Sequence, residues 1–345
     1  MFKVFSCYNA SNQKGVVMVA SGFKYNGTKK VFFAKYKDGK WENGSLTDSL
    51  NFEISALASA LQYGQSVFEG LKAYRAKDGR TLMFRVDKNY ERLLRSSARL
   101  LIPEIPKELF YEGILETVKA NRELVPSYES KGALYVRPSI IGTESVLGIR
   151  SANEFLFFVV ASPVGNYFND GFKPIKLYAT DFDRAAPNGL GSYKAGANYA
   201  GSLYAKKEAV EMGYDDCLYL DPKTHTKLDE CGASNVIVIT HDNKFMTPQS
   251  DSILPSITNN SLQILAKDYL KMEIIRKEIH LDELDGLKEF GAVGTAAVIS
   301  PVGLIHHHGR DIRFKSHDIL EKLYGLLTGI QFGDINENYG WVIEV

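Results

Sequence analysis

Asn188-Gly-Leu-Gly-Ser-Tyr-Lys194-Ala-Gly-Ala-Asn-Tyr199 is the stretch on which the reading of this chain turns, together with Asp229-Glu230-Cys-Gly-Ala-Ser-Asn235 further on. Lys194 is an amine flanked by small residues, where a flat ligand can approach closely. A phenol follows it, and later a carboxylate. These are the groups that hold and tune a pyridine-ring cofactor through Schiff-base chemistry. A lysine beside glycine is, on its own, more often a solvated loop residue, so the reading depends on its companions.

Working outward, five groups stand in an order that one phosphorylated pyridine would use. Lys194 supplies the amine and Glu230 a carboxylate for the ring nitrogen. Ile257 and Thr258 offer backbone amides, and a hydroxyl, at a helix N-terminus, which is an anion site. Thr295, in Gly294-Thr-Ala, adds a further hydroxyl and amide. Arg92 supplies a fixed cation for the phosphate, bidentate if geometry permits. Each has an ordinary alternative. Arg92 in Glu91-Arg92-Leu-Leu-Arg95 reads alone as a surface helix residue, and Glu230 after Asp229 as solvated charge. Ser256-Ile-Thr258-Asn is then an N-cap and Gly294-Thr295 a turn. Spacing does not prove convergence.

The 345 residues correspond to about two domains or one large one. Hydrophobic residues at 45% and charged residues at 24% describe an ordinary soluble globular protein. Lys+Arg and Asp+Glu are both 41, so no field for a polyanion is implied and nucleic acid is excluded as a partner. Cys7, Cys217 and Cys231 are too few and scattered for a disulfide framework or a zinc site. The start, Met1-Phe-Lys-Val-Phe-Ser, lacks a signal-peptide pattern, and the apolar run around Phe155 to Val164 is far short of a membrane span. A cytoplasmic location without membrane attachment is expected.

The pattern predicts a mixed α/β (α+β) chain. Val31–Lys37 before Asp38-Gly39, and Leu71–Arg75 before Asp78-Gly79 and Thr81-Leu-Met-Phe, are hairpin signals. Asp87 is expected to cap a helix with Tyr90, Leu93, Leu94, Ala98 and Leu101 at helical spacing, ended by Pro103 and Pro106. A second helix is expected over Lys107 to Glu123, and strands at Leu134–Arg137 and Phe155–Val160. Ser162 to Gly171 is rich in turn formers and marks an interdomain linker. The expected division is residues 1–164, a linker at 165–177, and 178–345. In the second part Asn198 to Met212 is expected as a helix with Leu203 and Ala209 inward, followed by strands at Cys217–Leu220, Lys227–Asp229 and Val236–Ile239.

Two signals are set aside. His306-His307-His308 is not expected to hold a metal, since consecutive histidines on a strand point different ways and no acidic or Cys partner is expected nearby. Gly189-Leu-Gly191 lacks the full dinucleotide fingerprint.

From about Gly64 onward the chain resembles the branched-chain amino acid aminotransferases, fold-type IV pyridoxal-phosphate enzymes. The resemblance rests on Tyr63-Gly-Gln-Ser-Val-Phe68-Glu-Gly70, Met83-Phe-Arg-Val-Asp-Lys-Asn-Tyr-Glu-Arg92-Leu, Tyr135-Val-Arg137-Pro and Pro163-Val-Gly-Asn-Tyr167-Phe. Arg184-Ala-Ala-Pro-Asn188, Lys194-Ala-Gly-Ala-Asn-Tyr199, Glu230-Cys-Gly-Ala-Ser-Asn235, Leu254-Pro-Ser-Ile-Thr258 and Gly294-Thr-Ala follow in the same order. Two departures stand out. Ser256 and Asn259 replace a Gly and an Arg at the helix start, and Ala297 and Ser300 stand where the animal enzymes have Cys-x-x-Cys.

The resemblance implies a small N-terminal α/β domain and a larger one with a barrel-like sheet, in a homodimer with pyridoxal 5′-phosphate between the domains. It implies Lys194 as the catalytic amine, with Arg92, Tyr199, Glu230, Asn235, Ile257, Thr258 and Thr295 as cofactor ligands. Phe68, Gly70, Tyr135 and Tyr167 would shape the substrate pocket. Tyr135 and the amides of Thr295 and Ala296 would take the α-carboxylate, and Arg137 the side-chain carboxylate of glutamate. Transfer between leucine, isoleucine or valine and 2-oxoglutarate is therefore expected, giving 2-oxo acids and glutamate. D-amino-acid aminotransferases and aminodeoxychorismate lyases share the Lys–Glu pair, and a non-catalytic vitamin B6 carrier is the reading from a different class.

Overall fold

Strand pairing divides the described residues into two sheets of nine strands, each curled into a half-barrel. The computed structural model describes residues 25–165 and 172–345. The first sheet runs in the order Val342–Glu344, Thr81–Phe84, Leu71–Arg75, Ala133–Gly142, Phe155–Val164, Val31–Lys37, Lys40–Trp41. Ser45–Thr47 and Ser66–Phe68 pair off this path, and every pairing is antiparallel. Both expected hairpins form. Asp38 and Gly39 take positive φ (52° and 79°), the two-residue turn whose twist suits paired strands.

The expected second helix spans Lys107–Ala120 and gives way to a short 3-10 turn at Arg122–Leu124. It turns Phe110, Ile114 and Val118, four residues apart, onto Phe32 and Phe157 of the sheet. Each such buried side chain contributes about 1.5–3 kcal/mol. The preceding helix, Val86–Arg99, corrects one expectation: Asp87 does not cap it. Arg85 holds that position at φ 52° because its amide donates to the Trp341 carbonyl (2.7 Å) and its guanidinium to Asn260 and Ser261 (2.8 and 2.9 Å). The helix thus starts earlier, and Asp87 lies in its first turn, where its charge suits the dipole.

The second sheet is mixed: Leu228–Cys231, Asp216–Leu220, Ile175–Thr180, Val298–His307, Leu287–Gly294, Asn235–Thr240, Phe245–Pro248, Ile274–Lys277, with Arg310–Arg313 beside Val298–His307. Ile175–Thr180 runs parallel to both neighbours. The helices Ile257–Asp268 and Asp318–Gln331 pack on it through Leu262, Leu265, Leu320, Leu323 and Leu327. The helix expected over 198–212 is two, Gly196–Gly201 and Leu203–Glu211, meeting at Ser202. Leu203, expected inward, is 69% exposed. The break rotates the second helix so that Ala205 and Ala209 face Cys217 and Tyr219 instead. No helix among the described residues is long and apolar enough to cross a membrane.

Candidate active site

Lys194 sits where the two sheets meet. The Phe68 amide donates to its carbonyl (3.2 Å), Val67 bridges Ala195, and its own amide donates to Ser96 Oγ (2.9 Å). The glycines around it answer to protein packing rather than to an approaching ligand. A Cβ on Gly196 would collide with Ser66, and one on Gly191 with the Ser252 carbonyl. From this seat Lys194 Nζ donates to the Tyr199 hydroxyl (3.0 Å) and stands 4.7 Å above the Phe68 ring.

Glu230 is the last residue but one of the strand Leu228–Cys231 and is 4% exposed. Asn235 Nδ2 donates to Oε2 (2.9 Å), while Arg184 Nη2 (2.6 Å) and the Leu254 amide (3.2 Å) meet Oε1. Burial pushes the carboxyl up to about 7, against the opposing pull of Arg184. Arg184 had no assigned role from sequence. Asn235 Nδ2, which donates to Glu230, also donates to the Leu254 carbonyl (3.0 Å).

Arg92 is buried, not a surface residue, and its fork is partly used. Nε and Nη2 grip Glu69, itself fully buried, at 2.8 and 2.7 Å, and Nη1 donates to the Pro255 carbonyl (3.0 Å). Burial works against the guanidinium's charge, but Glu69 prevails and holds its pKa above the ordinary value. One N–H on each of Nη1 and Nη2 is left for an anion, so only that edge can meet a phosphate in bidentate fashion.

The helix Ile257–Asp268 starts beside this edge. Ser256 caps it by accepting from the Asn259 amide (3.1 Å), and Asn259 Nδ2 donates to Thr247 Oγ1 (2.8 Å) and Asn235 Oδ1 (3.3 Å). The departures at 256 and 259 thus give a capped helix tied to the Glu230 support. Its first amides, at Ile257 and Thr258, have no partner within the helix.

A cleft is lined by Arg92, Lys194, Tyr199, Glu230, Asn235, Ile257 and Thr295 among others. Thr258 lies with Gly70, Lys72 and Thr295 around a smaller adjoining pocket. Phe68 packs on Tyr199 (4.9 Å between rings), and Arg137 lies over Phe68 (4.4 Å) and Tyr135 (5.1 Å), donating to the Tyr135 hydroxyl (2.7 Å from Nη2). Gly70 is tight against Tyr135, where a Cβ would strike the hydroxyl. The Ala296 carbonyl accepts from Lys72 Nζ (2.6 Å). Tyr167 lies outside the described residues.

One expectation about the three histidines is corrected. His307 and His308 stack at 4.1 Å because His308 turns at φ 45°, and Asp181, distant in sequence, pairs with His308 (2.9 Å) and lies 3.9 Å from His307. An acidic partner is therefore present.

An amine with its phenol, a supported buried carboxylate, and a helix start beside a cation form a donor set that fits a phosphorylated pyridine. The family model for class IV amino-transferases matches residues 66–305. The branched-chain-amino-acid aminotransferase of Haemophilus influenzae is 49% identical over 94% of this chain and 97% of its own length. That of Helicobacter pylori is 46% identical over 94% and 96%. A solved branched-chain amino acid aminotransferase from T.th., with pyridoxamine 5′-phosphate, has a TM-score of 0.78 at 27% identity, covering 92% of this chain and 98% of that one. Complexed with N-(5′-phosphopyridoxyl)-L-glutamate, the same enzyme gives 0.77. The chain belongs to the class IV aminotransferases, fold-type IV of the pyridoxal-phosphate enzymes. It is an enzyme, and the reaction class is amino-group transfer.

Proposed function

We propose that this aminotransferase moves an amino group between leucine, isoleucine or valine and 2-oxoglutarate, using pyridoxal 5′-phosphate. The observation that supports it most is Arg137. Its guanidinium lies against the rings of Phe68 and Tyr135 beside Lys194, and among the described residues it is in no ion pair. One pocket must accept an aliphatic side chain and then glutamate's second carboxylate, which an apolar wall alone would leave unpaired at considerable cost. Rings and an unmatched cation meet both demands. The names of the two bacterial relatives and the glutamate adduct of the T.th. enzyme agree with this reading.

Lys194, Tyr199, Glu230, Arg92, Thr295 and the helix start at Ile257 and Thr258 would hold the cofactor, with Asn235 supporting Glu230. When bound, the cofactor supplies an electron sink that makes the substrate's Cα–H acidic. Lys194 Nζ takes that proton and later returns it, as base and then acid. The Tyr199 hydroxyl, 3.0 Å away, orients the amine between those two tasks. Glu230, steadied by Arg184, favours a proton on the ring nitrogen. Tyr135 and the amides of Thr295 and Ala296 receive the α-carboxylate, and Phe68, Gly70 and Tyr167 form the aliphatic wall. We place the enzyme in the cytoplasm as a homodimer, with its units divided at 165–177.

Stopped-flow half-reactions test this with L-leucine, D-leucine and L-glutamate. Arg137→Met is expected to slow the glutamate half-reaction on the order of 10²-fold, as for a lost charge partner, and the leucine one far less. Equal losses would make Arg137 structural, and conversion of D-leucine alone would move the chain to the D-amino-acid enzymes.

A further inference from the structure

Two cations around the cleft already have buried carboxylate partners: Arg92 has Glu69, and Arg184 has Glu230. Lys72 has no such partner among the described residues. It stands opposite Tyr135 in the antiparallel ladder, with Gly70 two residues before it and Arg137 two residues beyond Tyr135. Side chains alternate along strands, so these positions share the face of the first sheet that looks onto the site. The Lys72 ammonium crosses from that face to the second sheet and donates to the Ala296 carbonyl (2.6 Å). Burial lowers its pKa to about 8, so near neutral pH it is mostly charged with a neutral carbonyl as its partner. A buried charge in that position is costly until an anion arrives.

The corner it grips is strained. Thr295-Ala296-Ala297 joins two paired strands, with Gly294 opposite Val298, and Val298 takes φ 64°. A three-residue hairpin loop closes through a left-handed residue, usually glycine, and a β-branched side chain there is an outlier. Such a loop holds its shape only when its surroundings fix it. The Lys72 hydrogen bond is a fixing contact that comes from the opposite sheet.

We infer that Lys72 is a positioning residue for the substrate's α-carboxylate, fixing the 295–297 corner and setting an uncompensated positive charge behind its amides. The inference rests on the proposed reading that the Thr295 and Ala296 amides receive that carboxylate. A charge in a poorly solvated wall acts over several ångströms, so it favours a ligand's anion without touching it.

The test is titration of the holoenzyme with 4-methylpentanoate, which has leucine's shape and carboxylate but no amine, and with the neutral 4-methylpentanamide. Wild type should prefer the acid. Lys72→Met should lose about tenfold more affinity for the acid than for the amide, the size of one charge interaction in such a site, any loss common to both reporting the loosened corner. Lys72→Arg should keep most of the preference. In turnover, Lys72→Met should raise KM for leucine with kcat largely held. Unchanged acid affinity in Lys72→Met, or equal loss of acid and amide, overturns the role of Lys72. A wild type that binds acid no better than amide instead overturns the carboxylate reading itself. If Lys72→Met does not fold, Lys72→Gln makes the same comparison, keeping a donor for the Ala296 carbonyl without the charge.

Discussion

Arg184 and Glu230 form an ion pair of 2.6 Å with 9% and 5% of their side chains exposed. Arg184 Nη2 also donates to the carbonyls of Gly191 (3.0 Å) and Ser252, so the pair ties the loop before Lys194 to the strand end that carries Glu230. Desolvating two charges costs several kcal/mol each, and such a pair persists only when its remaining donors and acceptors are satisfied. Asn235 and the Leu254 amide serve the carboxylate in that way, whereas the buried Arg184 Nε has no hydrogen-bond partner among the described residues.

Removing one partner of this pair should cost about 3–5 kcal/mol. Arg184→Met is expected to lower Tm and to move the acid limb of the kcat profile to higher pH, because Glu230 loses the cation that opposes burial. Denaturant melts and a pH–rate profile check both. An acid limb that stays in place would show that Glu230 does not depend on Arg184.

With cofactor removed, Glu230 should leave a mark on stability against pH. Its folded value of about 7 lies above the ordinary 4.5, so between the two the folded chain holds a proton that the unfolded chain has released. This contribution to stability is complete below about pH 4.5 and is lost as pH rises toward about 7. Glu230→Gln has nothing to titrate there. The wild-type-minus-variant difference in unfolding free energy should therefore fall between about pH 5 and about pH 7.5. A flat difference would place the Glu230 carboxyl near its ordinary range.

Lys194→Ala should abolish the borohydride-reducible bond between cofactor and protein and cut turnover by roughly 10²–10⁴-fold or more, the worth of a positioned acid–base group. Mass spectrometry after reduction reads the first effect. A cofactor still attached to the protein would remove Lys194 from its role.

Cys217 and Cys231 are buried, and burial pushes the first thiol up to about 11 and the second well above its usual value. Neither is a ready thiolate. With Ala297 and Ser300 at the corner, mild peroxide should leave activity largely intact and both thiols unmodified, as read by alkylation and mass spectrometry. A fast loss restored by dithiothreitol, with Cys231 labelled, would contradict this.

Most of what was legible in the sequence was local. The Asp38-Gly39 hairpin, the helix start after Pro255 and the Gly294-Thr295 corner follow from turn and cap chemistry within a few residues. The partners of the site were not legible. Glu69 reads as one carboxylate beside Phe68 and Arg184 as one cation in a turn-rich stretch, and nothing in the spacing joins them to Arg92 and Glu230. Asp87 and Leu203 failed for a related reason. Contacts made by Arg85 with the far end of the chain, and a helix break at Ser202, overrode reasonable local patterns.

The strand Val342–Glu344 lies at the edge of the first sheet, paired with Thr81–Phe84, and the Trp341 carbonyl receives the Arg85 amide. On the ribosome, then, the N-terminal half cannot finish before its sequel. Its open edge at Thr81–Phe84 must wait, exposed to mispairing, until the whole second sheet has been synthesised. Maturation is thus a closing of the circle rather than a vectorial addition of one finished unit to another. A nascent chain released before Trp341 should expose that edge and recruit chaperones.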